Sequence, residues 1–500
     1  MYSNISGFPE FLPENQVIFD EIKAKITKVF QSYGFLPMDT VAVEKVTDIL
    51  KKGNDSEIYG IYRLKDKTNT DFALRFDLTV PLARYISQHR GRLLFPFRRY
   101  HIAPVWRGER AQAGRYRQFY QCDIDIISRD SSSTIIGEIE ILQIIPDVFK
   151  ILNIKDFKIN INNRKLLRGI IGSFFNKNID EVIRIIDKLD KLSQEKIIEL
   201  LSNLDFEKDK CIEFLQFITQ DLEWKQWHEL LTKYDNEEIK NGLEELNEVF
   251  EIASNLDEMQ NQDRYKERFH FNILEHINYS PTLARGLDYY TGNIFEVSLP
   301  EEYKLGSVVG GGRYDNLVND FCGEKLIGVG ISFGLSRLVP RLIEMGILKT
   351  NQSKIGSCLM TIQDKKYLNE YLGLTRVLRK HGIPIEIYNN ANDKLGTQLK
   401  YADKRGFNYV IIIGEKEFNN QEYNGQYKAR LNNLITGDRG EYSLKEAINI
   451  LYKSQNEARY IEYEQKDITE LEEERSIMQK EEDMIGEIIN KKKHEIYCDK

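Results

Sequence analysis

The sequence predicts an α+β protein of several domains, built around an antiparallel sheet. Three observations carry that expectation. Residues 97–126 read as strand, loop, strand, rich in aromatic and β-branched residues, the pattern of an antiparallel hairpin. Residues 164–266 are charged, poor in glycine and helical in periodicity, so the helices are segregated from the strands. Residues 357–414 then alternate strand, helix, strand, helix, strand, as a separate α/β domain with a parallel or mixed sheet does. A chain of 500 residues has room for about three domains of roughly 150 residues each.

The chemistry of the hairpin is unusual. Its strands span 100–107 and 117–126, with a turn at Gln112-Ala113-Gly114. Residues two apart on a strand share a face, so Arg107 and Glu109 point together, as do Gln121, Asp123 and Asp125. Nine arginines (Arg84, Arg90, Arg92, Arg98, Arg99, Arg107, Arg110, Arg115, Arg117) lie between positions 84 and 117 against one acid, Glu109, in a chain of net charge -8. Arginine in place of lysine suggests bidentate contact with phosphate or carboxylate. The alternative is an edge strand protected by charge, which leaves the aromatic interleaving and the polar partner strand unexplained.

Composition bounds the rest. Hydrophobic residues make up 41% and charged residues 30%, enough apolar side chains for real cores. No apolar run approaches the roughly 18 residues that span a bilayer, so no membrane is expected. Residues 1–7 have neither a basic nor an apolar signal region, and a cytoplasmic protein is expected. Five scattered cysteines (Cys122, Cys211, Cys322, Cys358, Cys498) with no C-x-x-C support neither a disulfide framework nor a zinc site. Overall acidity argues against indiscriminate nucleic-acid binding but permits a local basic footprint.

Taken in order, residues 17–33 form a helix with Ile18, Ile22, Ile26, Val29 and Phe30 on one face, ended by Gly34. Residues 35–46 are extended, and 59–64 and 71–76 pair across a polar turn. Asp77 and Thr79 close a strand before a helix near Pro81. They are either an N-cap pair or polar groups at a site. A helix over 133–152 and a strand over 157–162 precede the helical stretch. Strand character returns near Ile273. Arg285, Tyr289 and Tyr290 then lie between glycines ahead of a strand at 294–297, like a site floor. Gly310-Gly311-Gly312 permits a tight turn or a close approach to a ligand. Residues 327–334 form a small-residue strand running into an amphipathic helix, where Arg337 could reach an anion. No dinucleotide fingerprint or Walker sequence occurs. Residues 349–354 are a linker, and beyond 452 the chain becomes a charge-dense helical or disordered tail.

Together these stretches resemble the class II aminoacyl-tRNA synthetases, and most specifically the histidyl-tRNA synthetases. Arg107-Gly108-Glu109-Arg110 with Gly114-Arg115-Tyr116-Arg117-Gln118-Phe119 is similar to the family's motif 2, and residues 328–338 to its motif 3. Arg285-Gly286-Leu287-Asp288-Tyr289-Tyr290 is similar to the histidine-specific signature, and Asp77-Leu78-Thr79 to the amino-acid loop in its Asp form. The resemblance covers residues 1 to about 452. Residues 40–44, Thr-Val-Ala-Val-Glu, lack the proline usual in motif 1, the stretch that serves the dimer interface.

The resemblance implies a class II catalytic domain with an antiparallel sheet over 1–163 and 266–348, a helical insertion over 164–265, an α/β anticodon-binding domain over 355–452 and a tail over 453–500. It implies histidine–tRNA ligation with ATP as substrate and Mg2+ as cofactor, with L-histidine and tRNA(His) as partners and a homodimer as the assembly. Arg107 would contact the α-phosphate and carboxylate, and Glu109 would order the adenine or metal side. Arg285 would be the main electrostatic catalyst, Arg337 would hold the adenine and γ-phosphate, and Arg115 would assist at ATP. Asp77, Leu78, Thr79 and Gln121 would surround the substrate amine, with Asp125, Tyr289, Tyr290 and Arg285 around the rest of histidine. The alternative is a non-catalytic, synthetase-like regulatory subunit of histidine biosynthesis. Such proteins lose the signature arginine and the anticodon-type domain, and this chain has both.

Overall fold

A computed structural model describes residues 4–49, 60–108, 110, 114–130, 134–260, 273–284, 290–349, 358–419 and 428–464. Glu109, Arg285 and Tyr289 lie outside them. The chain divides into two compact units, Met1–Lys349 and Thr350–Lys500.

In the first unit a helix spans Pro13–Ser32. It begins earlier than position 17 because Pro13 occupies its first turn, where a missing N–H costs nothing. Ile18, Ile22, Ile26 and Phe30 are its buried stripe, and Gly34, at φ +76°, follows its end. The strands are β1 (Leu36–Pro37), β2 (Val43–Lys45), β3 (Arg63–Lys65), β4 (Asp71–Leu74), β5 (Phe97–Trp106), β6 (Gln118–Ser128), β7 (Lys158–Asn163), β8 (Ile277–Tyr279), β9 (Asn293–Ser298), β10 (Val309–Tyr314) and β11 (Ile327–Phe333). Eight of them form one sheet in the order β1-β5-β6-β11-β10-β9-β7-β8. Its central strands are all antiparallel; only the edge pairs β1–β5 and β7–β8 run parallel. β2, β4 and β3 form a small antiparallel sheet of their own.

One face of the large sheet is apolar. Cys122, Ile124 and Ile126 of β6 and Val329, Ile331 and Phe333 of β11 share a core with the Pro13–Ser32, Thr134–Ile151 and Leu335–Glu344 helices. β6 is buried on both faces from Gln121 to Ser128. Its polar set, Gln121, Asp123 and Asp125, therefore occupies an interior position, not a solvated one. The triple glycine lies inside β10, paired on both sides by β9 and β11, and makes no turn. A Cβ on Gly311 would stand 2.1 Å from the Gly330 carbonyl oxygen and 2.5 Å from the Ile331 side chain, so β11 packs into the space that the missing side chain leaves.

The charged, glycine-poor stretch folds into helices from Arg164–Phe174 to Glu237–Gln260. Asn163, the last residue of β7, caps the first of them by accepting from the Lys165 and Leu166 amides. The root is tied to the sheet by polar bonds. Asn163 Nδ2 donates to Glu245 at 2.7 Å and to Asn293 at 2.8 Å, and Lys165 Nζ donates to Glu245 at 2.7 Å. Arg313 of β10 also pairs with Glu245. The Arg164–Phe174 and Glu237–Gln260 helices meet at glycines: a Cβ on Gly242 would lie 2.5 Å from the Leu166 amide nitrogen, and one on Gly169 would lie 2.8 Å from that of Ile239.

In the second unit, β12 (Cys358–Met360), β13 (Ile385–Ile387), β14 (Tyr409–Ile412), β15 (Lys428–Asn433) and β16 (Arg439–Ser443) make a mixed sheet in the order β13-β12-β14-β15-β16. The first three strands are parallel, joined through the Leu368–Lys380 and Leu395–Arg405 helices. The last helix, Leu444–Glu464, runs past 452, where the tail was expected to begin. Ala447 and Leu451 are buried, so this domain anchors the helix before its charged part starts. Among the described residues no helix is long and apolar enough to cross a membrane.

The glycine contact predicts a cost. Gly242→Ala forces a methyl group against main-chain atoms of the facing helix. It should destabilise the protein by about 1–3 kcal/mol, the usual range for overpacking a tight contact. A urea midpoint that does not move would show that the helices part freely there.

Candidate active site

The hairpin and the glycine strands enclose a cavity of about 380 Å³ on the face of the sheet opposite the apolar core. β6 contributes Gln121, Asp123 and Asp125, and β10 and β11 contribute Gly310, Gly311, Gly330 and Ser332. Asp77 and Thr79 enter from the start of the Thr79–His89 helix, and Tyr290 from the segment before β9. Arg107, Arg115 and Tyr116 come from the hairpin loop, and Arg337 from the first turn of the Leu335–Glu344 helix. Of the expected site residues that are described, all but Leu78 line this one space.

Leu78 stands apart from the rest of the expected set. Its side chain is fully buried with Ala103 and Val105, away from the cavity. Its contribution is its carbonyl oxygen, which accepts from Arg99 Nη2 at 3.2 Å. Asp77 lies beside it in a double role that the sequence left open. Its Oδ1 accepts from the Val80 amide at 3.1 Å, as a helix cap does, while its carboxylate also faces the cavity.

Arg99 is the residue the sequence did not single out. It is 0% exposed, directly opposite Asp125 in the β5–β6 register, and its Nη2 lies 2.6 Å from Asp125 Oδ2 and 3.9 Å from Asp123 Oδ2. The Tyr314 hydroxyl donates to Asp125 Oδ1 at 2.5 Å. Burial pushes the Asp125 carboxyl above the usual carboxylate range, against the pull of Arg99 and of the Tyr314 hydroxyl. Asp123, equally enclosed, is pushed up to about 7 by burial, with Arg99 opposing and Asp125 adding to the rise. Glycines make room for this arrangement. A Cβ on Gly330 would fall 2.2 Å from Asp125 Oδ1, and one on Gly328 would fall 2.1 Å from the Tyr314 ring.

The arginines divide by partner. Arg84 pairs with Glu44 at 2.8 Å, Arg90 with Glu324 at 3.7 Å and Arg98 with Glu140 at 2.8 Å, and Arg99 is buried against Asp125, so these four brace the fold. For these members the carboxylates that arginine suggested are the protein's own, supplied by other elements of the fold. Arg107 is held from both sides, its Nε donating to the Phe76 carbonyl at 3.0 Å and its guanidinium lying 5.1 Å from the Phe119 ring centroid. Arg337 Nε donates to the Gly114 carbonyl at 2.9 Å and its Nη1 to that of Ser307 at 2.6 Å. It thereby ties the hairpin loop to the rim of the cavity. One wall therefore presents carboxylates and an amide, and the mouth presents three arginines. That polarity suits a ligand with a cationic end and an anionic end. The described residues contain no group of three or more His, Cys, Asp or Glu side chains arranged to hold a metal ion.

Comparison with known proteins agrees with this architecture. The family model for histidyl-tRNA synthetase matches residues 7–338, and one for an anticodon-binding domain matches residues 356–454. The histidine–tRNA ligase of Clostridium tetani is 40% identical over 455 residues, covering 90% of this chain and 98% of that one. That of Finegoldia magna is 37% identical over 451 residues, covering 90% and 99%. The crystal structure of histidyl-tRNA synthetase from Nostoc sp. PCC 7120 superposes with a TM-score of 0.72 at 33% identity, covering 91% of this chain and 99% of that one. An ATP phosphoribosyltransferase regulatory subunit/histidyl-tRNA synthetase from Bacillus halodurans shares the fold, with a TM-score of 0.64 at 18% identity over 80% of this chain and 96% of its own. With motif 2, motif 3 and the histidine signature on a class II α+β scaffold, this chain belongs to the histidyl-tRNA synthetase family.

Proposed function

We propose that the chain is a histidine–tRNA ligase that activates histidine with ATP in this cavity and passes it to the 3′ end of tRNA(His). The observation that carries this reading is the polarity of the cavity: acceptors converge at its depth and arginines at its mouth. Histidine has a cationic amine, which Asp77, Thr79 and Gln121 suit, and an imidazole with two distinct nitrogens, which Asp125 and Tyr290 suit. Tyr289 and Arg285, from the same signature, complete the set. ATP takes the other end, with Arg107, Arg115 and Arg337 near its phosphates and adenine and Glu109 beside them.

The first step joins two anions. The histidine carboxylate attacks the α-phosphorus, the bond to the bridging oxygen breaks, and diphosphate leaves. No general base is needed, because the attacking carboxylate is already ionised near neutral pH. The barrier is repulsion between like charges, so fixed cations are what the site must supply. Arg107 and Arg285 flank the α-phosphate in this reading, and Arg337 takes the γ-phosphate. In the second step the terminal ribose hydroxyl of tRNA attacks the histidyl carbonyl carbon and AMP departs. Mg2+, when bound, would neutralise phosphate charge. Mg2+ sites with nucleotides commonly use one or two carboxylates plus phosphate oxygens. Glu296 on β9, lining the cavity apart from the Arg99 cluster, fits that role.

The domain reading follows: a catalytic domain over 1–163 and 266–348, an insertion over 164–265 that clamps the acceptor stem, a domain over 355–452 that reads the anticodon, and a tail from 453. A homodimer in the cytoplasm is the assembly proposed. Exposed Leu36, Val41 and Val43, in and around the motif 1 stretch, support an interface there.

Three outcomes test this. Diphosphate exchange measured across the twenty amino acids should respond to histidine alone; no exchange with any of them would favour the regulatory-subunit alternative. Arg285→Ala should lower adenylate formation by about 100-fold or more, as losing one preorganised charge contact does, with histidine affinity little changed. Activation of histidine at the normal rate would remove Arg285 from its role. Asp125→Asn should raise the histidine KM strongly and spare the ATP KM, since a site built to hydrogen-bond its substrate suffers most when a buried partner is altered. A lowered melting temperature with unchanged histidine kinetics would make Asp125 a purely structural partner of Arg99.

A further inference from the structure

Gln121 has a feature that the amine-binding reading alone does not explain. Its side chain is buried, and its two amide ends are treated differently. Nε2 donates toward Asp123, at 3.3 Å to Oδ1 and 3.5 Å to Oδ2, and to Ser332 Oγ at 3.2 Å. Oε1 is buried with no hydrogen-bond partner among the described residues. A buried carbonyl oxygen left unpaired is costly unless a ligand supplies the donor. A carboxylate can only accept, so Asp123 fixes which end of the amide faces it.

We propose that Asp123 is a specificity-determining positioning residue: by holding Gln121 Nε2 together with Ser332, it turns Gln121 Oε1 toward the ammonium group of the amino-acid substrate. This rests on the reading of the cavity as a histidine site. Nothing else in the cluster can do the same work. Asp125 is engaged by Arg99 and Tyr314, and Asp77 by the Val80 amide. Ser332, the Cα partner of Asp123 across the β6–β11 pair, can both donate and accept, so alone it leaves the amide free to flip.

The orientation is tied to the charge on Asp123. If Asp123 takes a proton it becomes a donor, and the amide is then favoured in the opposite sense, with Nε2 toward the ammonium. That arrangement repels the substrate. The groups facing Asp123 are Arg99 and the register partner His101 on β5, Arg75 and Asp77 from the segment after β4, Asp125 on its own strand, and Ser332 on β11. His101 is pushed down to about 3, chiefly by burial, so it stays neutral near pH 7 and adds no charge. Burial places the Asp123 carboxyl at about 7, so the switch falls near neutrality. Histidine should bind less well as pH drops below that value, beyond what the substrate's own imidazole titration accounts for.

The test uses the full chain in histidine-dependent diphosphate exchange, with histidine and ATP varied separately between about pH 6 and pH 8.5. Asp123→Asn should raise the histidine KM about tenfold, the scale of losing one charge-assisted hydrogen bond, and leave the ATP KM within about twofold. The pH dependence of the histidine KM should also flatten to that of histidine itself. Ser332→Ala, which leaves the buried charges in place, should raise the histidine KM by about threefold. An unchanged histidine KM in either variant, a parallel rise in both KM values, or a wild-type pH profile retained by Asp123→Asn would overturn the assignment. Absence of histidine-dependent exchange in the wild-type protein would instead overturn the function itself.

Discussion

A guanidinium without solvent contact stands at the centre of this catalytic unit. Removing Arg99 and its carboxylate partners from water costs several kcal/mol per ion, and only close, well-directed pairing offsets that. The pairing in turn constrains what surrounds it. β5 and β6 must keep the register that sets Arg99 against Asp125. Leu78 must give up its carbonyl to Arg99, which fixes where the Thr79–His89 helix begins and so where Asp77 and Thr79 point. Gly330 must remain without a side chain, and Tyr314 must close over the second oxygen of Asp125. A ligand therefore meets acceptors already held in orientation, which is the preorganisation that electrostatic catalysis and specificity both require.

β10 connects this centre to the helical insertion. Neighbouring residues on a strand point to opposite faces. Tyr314 goes inward to Asp125, while Arg313 goes to the other side and pairs with Glu245 of the Glu237–Gln260 helix. Glu138 and Asn293 join the same network, Asn293 Nδ2 donating to Glu138 Oε2 at 2.6 Å. Segments flanking the histidine signature are held from the same root. Asn162 donates to the Leu283 carbonyl at 2.9 Å, and Arg164 donates to that of Ala284 at 3.0 Å and, from its amide, to that of Gly292 at 3.0 Å. Among the described residues, the helical stretch is thus rooted in hydrogen bonds that also fix the supports of the cavity.

The arginine-rich run shows how one composition serves two ends. Four of its members, Arg84, Arg90, Arg98 and Arg99, pair with acids of other elements, and the run can carry that many cations because each of these is neutralised within the fold. Arg107 and Arg337 are held differently, through carbonyl oxygens and an aromatic ring. Carbonyl partners fix position without themselves cancelling charge. That distinction between carboxylate and carbonyl partners separates scaffold from site better than arginine density does.

Much of this was legible in order along the chain. Strand periodicity put Gln121, Asp123 and Asp125 on one face, helical periodicity marked the insertion, and the alternating pattern marked the second unit, because each depends on local geometry that the sequence carries directly. The motifs with their spacing identified the family, since the chemistry needs those residue types at those positions. Other features had no local signature. Nothing near position 99 distinguishes an interior arginine from its eight neighbours; only the β5–β6 register and the cover of the Thr79–His89 helix bury it. Leu78 followed the motif on paper, yet packing sends its side chain to the core and leaves only its carbonyl to act. The glycines of β10 and β11 announced a close approach, but what they approach, each other and the Asp125 carboxylate, is set across strands far apart in sequence. Sequence determined which groups the site possesses. Tertiary structure decided which of them are desolvated and which way they face, because burial and orientation depend on neighbours that come together only when the sheet closes.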